Sequence, residues 1–385
     1  MQINRKSMPQ LKKPLPVFIL LTVALFGSIL FLSWNLRSTS VDLGYGPVDE
    51  NLNLVQKLLY SIQIYLARES LVTQTTPSDP KLSMDIQSGE TVQSICNHLN
   101  LLHPNLNPKL CRNYLVYRGF DRKIEPGNYS IPGGLPAYQV FTYISDPTNR
   151  DRTLLIYPGW RLEEIAAAIE MLGLREAPAP AALTTMRAPD QTLASELQLD
   201  SGQSLEGYLL PGKYTFEPGI SLEALLQQLT APYLELLSRG ELQTKGQEQG
   251  LNPREVLTLA SIIQRETLRT EEMPRMASVF YNRLSQGMPL QTDPTVQYAL
   301  GYDQNTASWW KPLLSKSDLQ VNSTYNTYQV TGLPPGPIAS PSLEAIQAVL
   351  NSENTNFLFF RAKCDGSGLH VFSVTYQEHL DKACP

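Results

Sequence analysis

The stretch SLEGYLLPGKYTF, Ser204 to Phe216, carries one acid, Glu206, among apolar and aromatic residues. A carboxyl desolvated by such neighbours has a raised pKa, which is what a general acid needs near neutral pH. Leu205, Tyr208 and Leu209 are expected to desolvate it, and Tyr208, Tyr214 and Phe216 offer flat faces suited to sugar rings. The competing reading is a strand–turn–strand edge with core aromatics and Glu206 turned to water. A second acid sits in LNPREVLTLASIIQRETLR. There Asn252 suits an N-cap, Pro253 the first helical position and Glu255 a capping box. Glu266 then falls on the apolar stripe with Leu259 and Ile263, where a carboxylate must be paired or functional.

Two further segments supply polar groups. In VFYNRLSQGMPLQTDPTVQYALG, Asp293-Pro294 reads as the cap and first residue of a helix ending at Gly301. Gln291, Thr292, Asp293 and Tyr298 are candidates for lining a groove. In YNTYQVTGLPPGPIASPSLEAIQAVL, Asn326, Thr327 and Tyr328 have the amide, hydroxyl and aromatic types that bind carbohydrate. The run Gly332 to Pro337 is stiff, and Ser340-Pro341 is expected to cap a closing helix.

The elements that must position these groups follow an α+β pattern. The chain has 385 residues, enough for two or three domains. A net charge of −5 gives no basic field that would favour nucleic acid. Four histidines and four cysteines show no zinc-ligand spacing, so neither a metal nor another cofactor is expected. From Leu15, LPVFILLTVALFGSILFLSW runs uncharged to Trp34, long enough for one transmembrane helix over 15–35. Arg5, Lys6, Lys12 and Lys13 precede it, which places residues 1–14 in the cytosol and the rest outside, anchored in the cell (inner) membrane. A cleaved signal peptide would have a shorter apolar core and a small-residue site after it. Outside the cytosol disulfides persist, and sequence order suggests Cys96 with Cys111 and Cys364 with Cys384, with other pairings and free thiols left open.

Residues 36–80 read as a juxtamembrane helix with Leu54, Leu58, Ile62 and Leu66 on one stripe, followed by the turn-rich linker TQTTPSDP. A small unit over 81–150 has a strand, two helices and the turn-punctuated strand IEPGNYSIPGG, an order that resembles a LysM-like module. The chain restarts at RTLLIYPGWRLEEIAAAIEML with a strand, a Pro-Gly turn and an amphipathic helix, opening a larger domain over 151–385. EAPAPAALTTMRAPD interrupts it as a Pro/Ala-rich insertion.

SLEGYLLPGKY, LASIIQRET, VFYNRLSQGMPLQTDPTVQYALG, TGLPPGPIASPSLEAI and FLFFRAKCDGSGLHVFSVTYQEHL occur in this order. They resemble the endolytic murein transglycosylases, the MltG or YceG-like family, from Arg152 to the C-terminus. The family's catalytic glutamate carries over to Glu206. Gly212 and Gln264 stand where the family tends to have acids. The resemblance implies a lytic transglycosylase that works with one carboxyl and no cofactor. Its substrate would be the peptidoglycan glycan strand, cut between N-acetylmuramic acid and N-acetylglucosamine to leave 1,6-anhydro ends and terminate strand elongation. Peptidoglycan synthases or division proteins are the partners it suggests. Two alternatives stay open: a lysozyme-type hydrolase with Glu266 as second carboxylate, and a non-catalytic wall-binding scaffold.

Overall fold

The computed structural model describes residues 22–31, 34, 46–74, 81–102, 107–173, 191–199 and 203–384. Residues 15–21, 32, 33 and 35 of the expected membrane span, residues 75–80 of the linker and the Pro/Ala insertion lie outside the described residues. Residues 22–31 are helical, and among the described residues no helix is long and apolar enough to cross a membrane. The chain divides into two compact units, Met1–Asp151 and Arg152–Pro385.

In the first unit, β1 (Lys81–Ile86) pairs antiparallel with β2 (Gly127–Pro132), from Lys81↔Pro132 to Ile86↔Gly127. The strict alternation of exposed and buried residues along β1 turns Leu82, Met84 and Ile86 inward. Between the strands lie α3 (Val92–Leu102) and α4 (Pro108–Arg118), preceded by α1 (Leu54–Leu66) and α2 (Arg68–Val72) and followed by α5 (Ala137–Ile144). A Cys96–Cys111 disulfide ties α3 to α4, closing a loop whose cross-link contributes about 3 kcal/mol in the chain-entropy picture. Tyr114, Tyr117, Tyr129 and Phe141 fill the core. In α1 the buried positions are Ser61 and Ile64, while Leu54 and Leu66 are exposed, so the apolar stripe read from the sequence is not the packed face.

The second unit opens with β3 (Arg152–Ile156), which pairs antiparallel with β4 (Gly212–Phe216). Between them come α6 (Leu162–Met171) and α7 (Gln191–Glu196). After β4 follow α8 (Leu222–Ser238), α9 (Glu241–Glu248), α10 (Pro253–Glu266), α11 (Met273–Ser285), α12 (Asp293–Leu300) and α13 (Leu343–Leu350). The chain closes with the β5 (Phe359–Ala362) and β6 (His370–Ser373) hairpin and α14 (Tyr376–Asp381), joined by the Cys364–Cys384 disulfide. Helix α10 is the spine: every residue from Val256 to Gln264 is buried, and it packs on α13 and α11. It starts as its sequence predicts. Asn252 Oδ1 accepts from Glu255 N–H at 3.0 Å, and Glu255 Oε2 accepts from Asn252 N–H at 2.8 Å.

Two expected caps are shifted. Thr292, not Asp293, precedes α12, and its side chain does not cap; Asp293 is already helical. Ser342 caps α13 by accepting from Ala345 N–H, whereas Ser340 Oγ donates to Leu209 O at 2.6 Å. Both errors have one cause: the preceding turn is fixed by distant partners that local pattern does not reveal.

Candidate active site

The β3–β4 pair brings two turns together. β3 runs into Tyr157-Pro158-Gly159-Trp160 and so into α6, while β4 is entered from the Leu205–Leu210 turn. In that turn Gly207 has φ +82°, and a Cβ there would stand 2.4 Å from Pro337 Cβ. Only glycine lets the GLPPGP loop lie against the residue that follows the acid.

Glu206 is 4 % exposed. Leu162 N–H donates to both carboxyl oxygens, at 3.1 and 3.2 Å, and the Tyr298 hydroxyl donates to Oε2 at 3.4 Å. Leu162 is the first residue of α6, where backbone N–H groups lack helical partners and the helix dipole favours negative charge. Burial above all, then the charge of Glu163, pushes the Glu206 pKa from 4.5 up to about 8. The Leu162 amide, Arg161 and the Tyr298 hydroxyl pull the other way. The carboxyl is thus protonated at neutral pH, yet has an amide aimed at it when the proton leaves.

Arg161 braces this seat from beneath. It is buried, bonds Glu163 at 3.1 and 3.2 Å, and lies 4.3 Å from the Tyr298 ring centre and 4.7 Å from that of Trp309. Tyr298 in turn packs on Tyr325 with ring centres 4.8 Å apart. Glu164 accepts from Arg161 N–H, completing the first turn of α6, and also from Trp310 Nε1. The segment GWRLEE carried a signal for this arrangement in its two acids at a helix start.

Glu266 forms a second acidic locus at the C-terminal end of α10. Burial, then the charge of Asp293, raises its pKa to about 8 against the pull of Arg265. Asp293 Oδ1 accepts from the Tyr328 hydroxyl at 2.7 Å. Glu206 and Glu266 are held by different elements, Glu206 against the start of α6 and Glu266 at the end of α10.

The other candidates divide. Tyr208 is buried with its ring against Tyr233, and Phe216 is likewise core, so neither presents a face to a ligand. Tyr214 is half-buried, and its hydroxyl donates to Leu210 O. Asn326 is fully buried: its amide donates to Leu319 O and Val321 O and its oxygen accepts from Tyr328 N–H, so it shapes a loop. Thr292 is buried in a hydroxyl cluster with Thr295 and Thr327. Gln291 is exposed at φ +52°. Gln264, where the family tends to have an acid, accepts from Ser342 N–H at 3.0 Å. Among the described residues no group of His, Cys, Asp and Glu is placed to hold a metal ion.

Fold and site define an α+β protein with the sealed Glu206 carboxyl at a helix N-terminus, backed by arginine and aromatic rings. Residues 84–384 match the YceG-like family, and the chain belongs to it. It is 30% identical over 320 residues to the endolytic murein transglycosylase of Bacillus subtilis, covering 78% of this chain and 84% of that protein. The protein of the same name from Streptococcus pneumoniae is 32% identical over 335 residues, covering 82% of this chain and 60% of the relative. A crystal structure of a protein described as YceG-like from Listeria monocytogenes superposes with a TM-score of 0.51 at 29% identity. That match covers 79% of this chain and 99% of that one.

Proposed function

We propose that the chain is a membrane-anchored lytic transglycosylase that cuts peptidoglycan glycan strands between N-acetylmuramic acid and N-acetylglucosamine. Glu206 protonates the glycosidic oxygen. The muramic acid C6 hydroxyl attacks C1 and gives its proton to the now ionised Glu206, leaving a 1,6-anhydro end without consuming water. A nucleophile tethered to the reacting sugar has a high effective molarity, which is how one carboxyl suffices. The observation that carries this reading is the Glu206 seat, where burial keeps the acid protonated and the Leu162 amide waits for the carboxylate. The names of the relatives support the reaction class. The apolar run 15–34 supports an anchor in the cell membrane, and the two disulfides support an oxidising compartment outside the cytosol. Such a placement would put the enzyme beside peptidoglycan synthases and division proteins, and its cuts would end strand elongation.

The test is to incubate the detergent-solubilised chain with peptidoglycan and weigh the released muropeptides. Ends one water lighter than hydrolysis products, absent with Glu206→Gln, are the expected result. Ordinary reducing ends would make the protein a hydrolase, and binding without release would make it a scaffold.

A further inference from the structure

Five aromatic rings near the Glu206 seat have no part in the chemistry above. Tyr157 and Trp160, on the turn between β3 and α6, have ring centres 5.2 Å apart, and Tyr157 is 52% exposed. Tyr302 and Trp309, on the loop after α12, sit edge-to-face at 5.1 Å, with Tyr302 41% exposed. Trp309 and Trp310 both keep part of their surface in solvent. Arg265 joins the two groups: its guanidinium stacks 3.8 Å from the Trp310 ring centre, and Nη1 donates to Gly159 O in the middle of the Tyr157–Trp160 turn.

We propose that the exposed ring of Tyr302, with Trp309 standing edge-to-face beside it and backed by Arg161, forms a stacking subsite for one pyranose ring of a β-linked N-acetylhexosamine chain. Naming the sugar class rests on the glycan-cleaving reading of Glu206. Three features of the loop favour a ligand of this kind. First, it is held rigid. Asp303 and Ser308 exchange backbone hydrogen bonds at 2.8 and 3.2 Å, the Asp303 carboxylate accepts from Thr306 Oγ1 at 2.7 Å, and Gln297 Nε2 donates to Lys311 O at 2.6 Å. Rings held in place before binding lose little freedom when a ligand arrives.

Second, the platform is continuous with the reacting centre. One guanidinium, that of Arg161, touches both Trp309 and Tyr298, and Tyr298 reaches the Glu206 carboxyl. A sugar on this platform therefore neighbours the one being cut. Third, the rings are flat and bordered by polar groups, including Glu164 at Trp310 Nε1. A pyranose presents the matching surface, with C–H groups on its faces and hydroxyls at its rim.

The test uses the full chain carrying Glu206→Gln, titrated with chitin oligosaccharides of four to six sugars while tryptophan fluorescence is followed. A saturable change is expected, with affinity reduced about tenfold by Trp309→Ala and by Tyr302→Ala, and largely restored in Trp309→Phe. No saturable change in the parent, or equal affinity in Trp309→Ala, overturns the platform. So does a loss that Trp309→Phe does not recover, since the loop's packing rather than the ring face would then be responsible. The glycan-cleaving reading fails separately, by Glu206→Gln leaving cleavage intact, and the titration is read independently of that result.

Discussion

Glu206 and Glu266 share a number and differ in almost everything else. Both carboxyls are raised to about 8, and in both burial is the largest influence. Glu206 is gripped by a helix N-terminal amide and a tyrosine hydroxyl, and the like charge acting on it, Glu163, is paired with Arg161. Glu266 has no hydrogen-bond partner among the described residues and leans on the unneutralised charge of Asp293, which Tyr328 holds in place. Burial decides whether an acid keeps its proton; hydrogen bonds decide where it points. Only Glu206 has both.

Several measurements would break or sharpen that contrast. The largest effect belongs to Glu206→Gln, which should lower kcat by about 10²- to 10⁴-fold, the range for a lost general acid, while Glu266→Gln costs less than about tenfold. Comparable losses from both would make them partners after all. Next, the rate should fall as pH rises through about 8, where Glu206 loses its proton, and this limb should survive Asp293→Asn. A limb that moves with Asp293→Asn would assign it to Glu266 instead.

Stability gives a smaller signal with a definite sign. Each carboxyl holds its proton more tightly folded than unfolded, so its contribution is complete below about pH 4.5 and is lost as pH rises to about 8. Each unit of raised pKa is about 1.4 kcal/mol of that trend, with the smaller share from the half-buried Glu266. Thermal melts at pH 5 and pH 8 should therefore converge in Glu206→Gln; an unchanged gap would mean the acid is solvated. Smallest of all, Tyr298→Phe removes a hydrogen bond that favours the ionised form, and so should move the alkaline limb of the rate profile upward by a fraction of a unit. A downward move would reverse the role given to that hydroxyl.

What was legible in the chain was what depends on neighbours in sequence. The start of α10 could be read because Asn252, Pro253 and Glu255 satisfy one another within a single turn. The desolvation of Glu206 could be read because Leu205, Tyr208 and Leu209 flank it. The grip on Glu206 could not, because its donors come from residues 162 and 298, far away along the chain. The burial of two of the aromatic rings was hidden for a related reason. Tyr208 and Phe216 lie in a motif that draws the eye and are spent on the core, whereas Trp309 and Trp310 sit in a loop with no periodicity to mark them. Asn326 has the type of a sugar ligand, but its amide is used up by two loop carbonyls.

The short run from Ile338 to Ser342 fastens three distant parts of the second unit. Ser340 exchanges backbone hydrogen bonds with the turn that leads into α6, its hydroxyl reaches Leu209 beside the acid, and Ile338 and Ser342 bind α10 through Ser261 and Gln264. These elements should come apart as one cooperative unit, with the amide protons of Gly159 and Ser340 exchanging with solvent at a common slow rate. Every residue that hydrogen-bonds the Glu206 carboxyl precedes position 300, yet a single proteolytic cut at the GLPPGP loop should release the acid from its place.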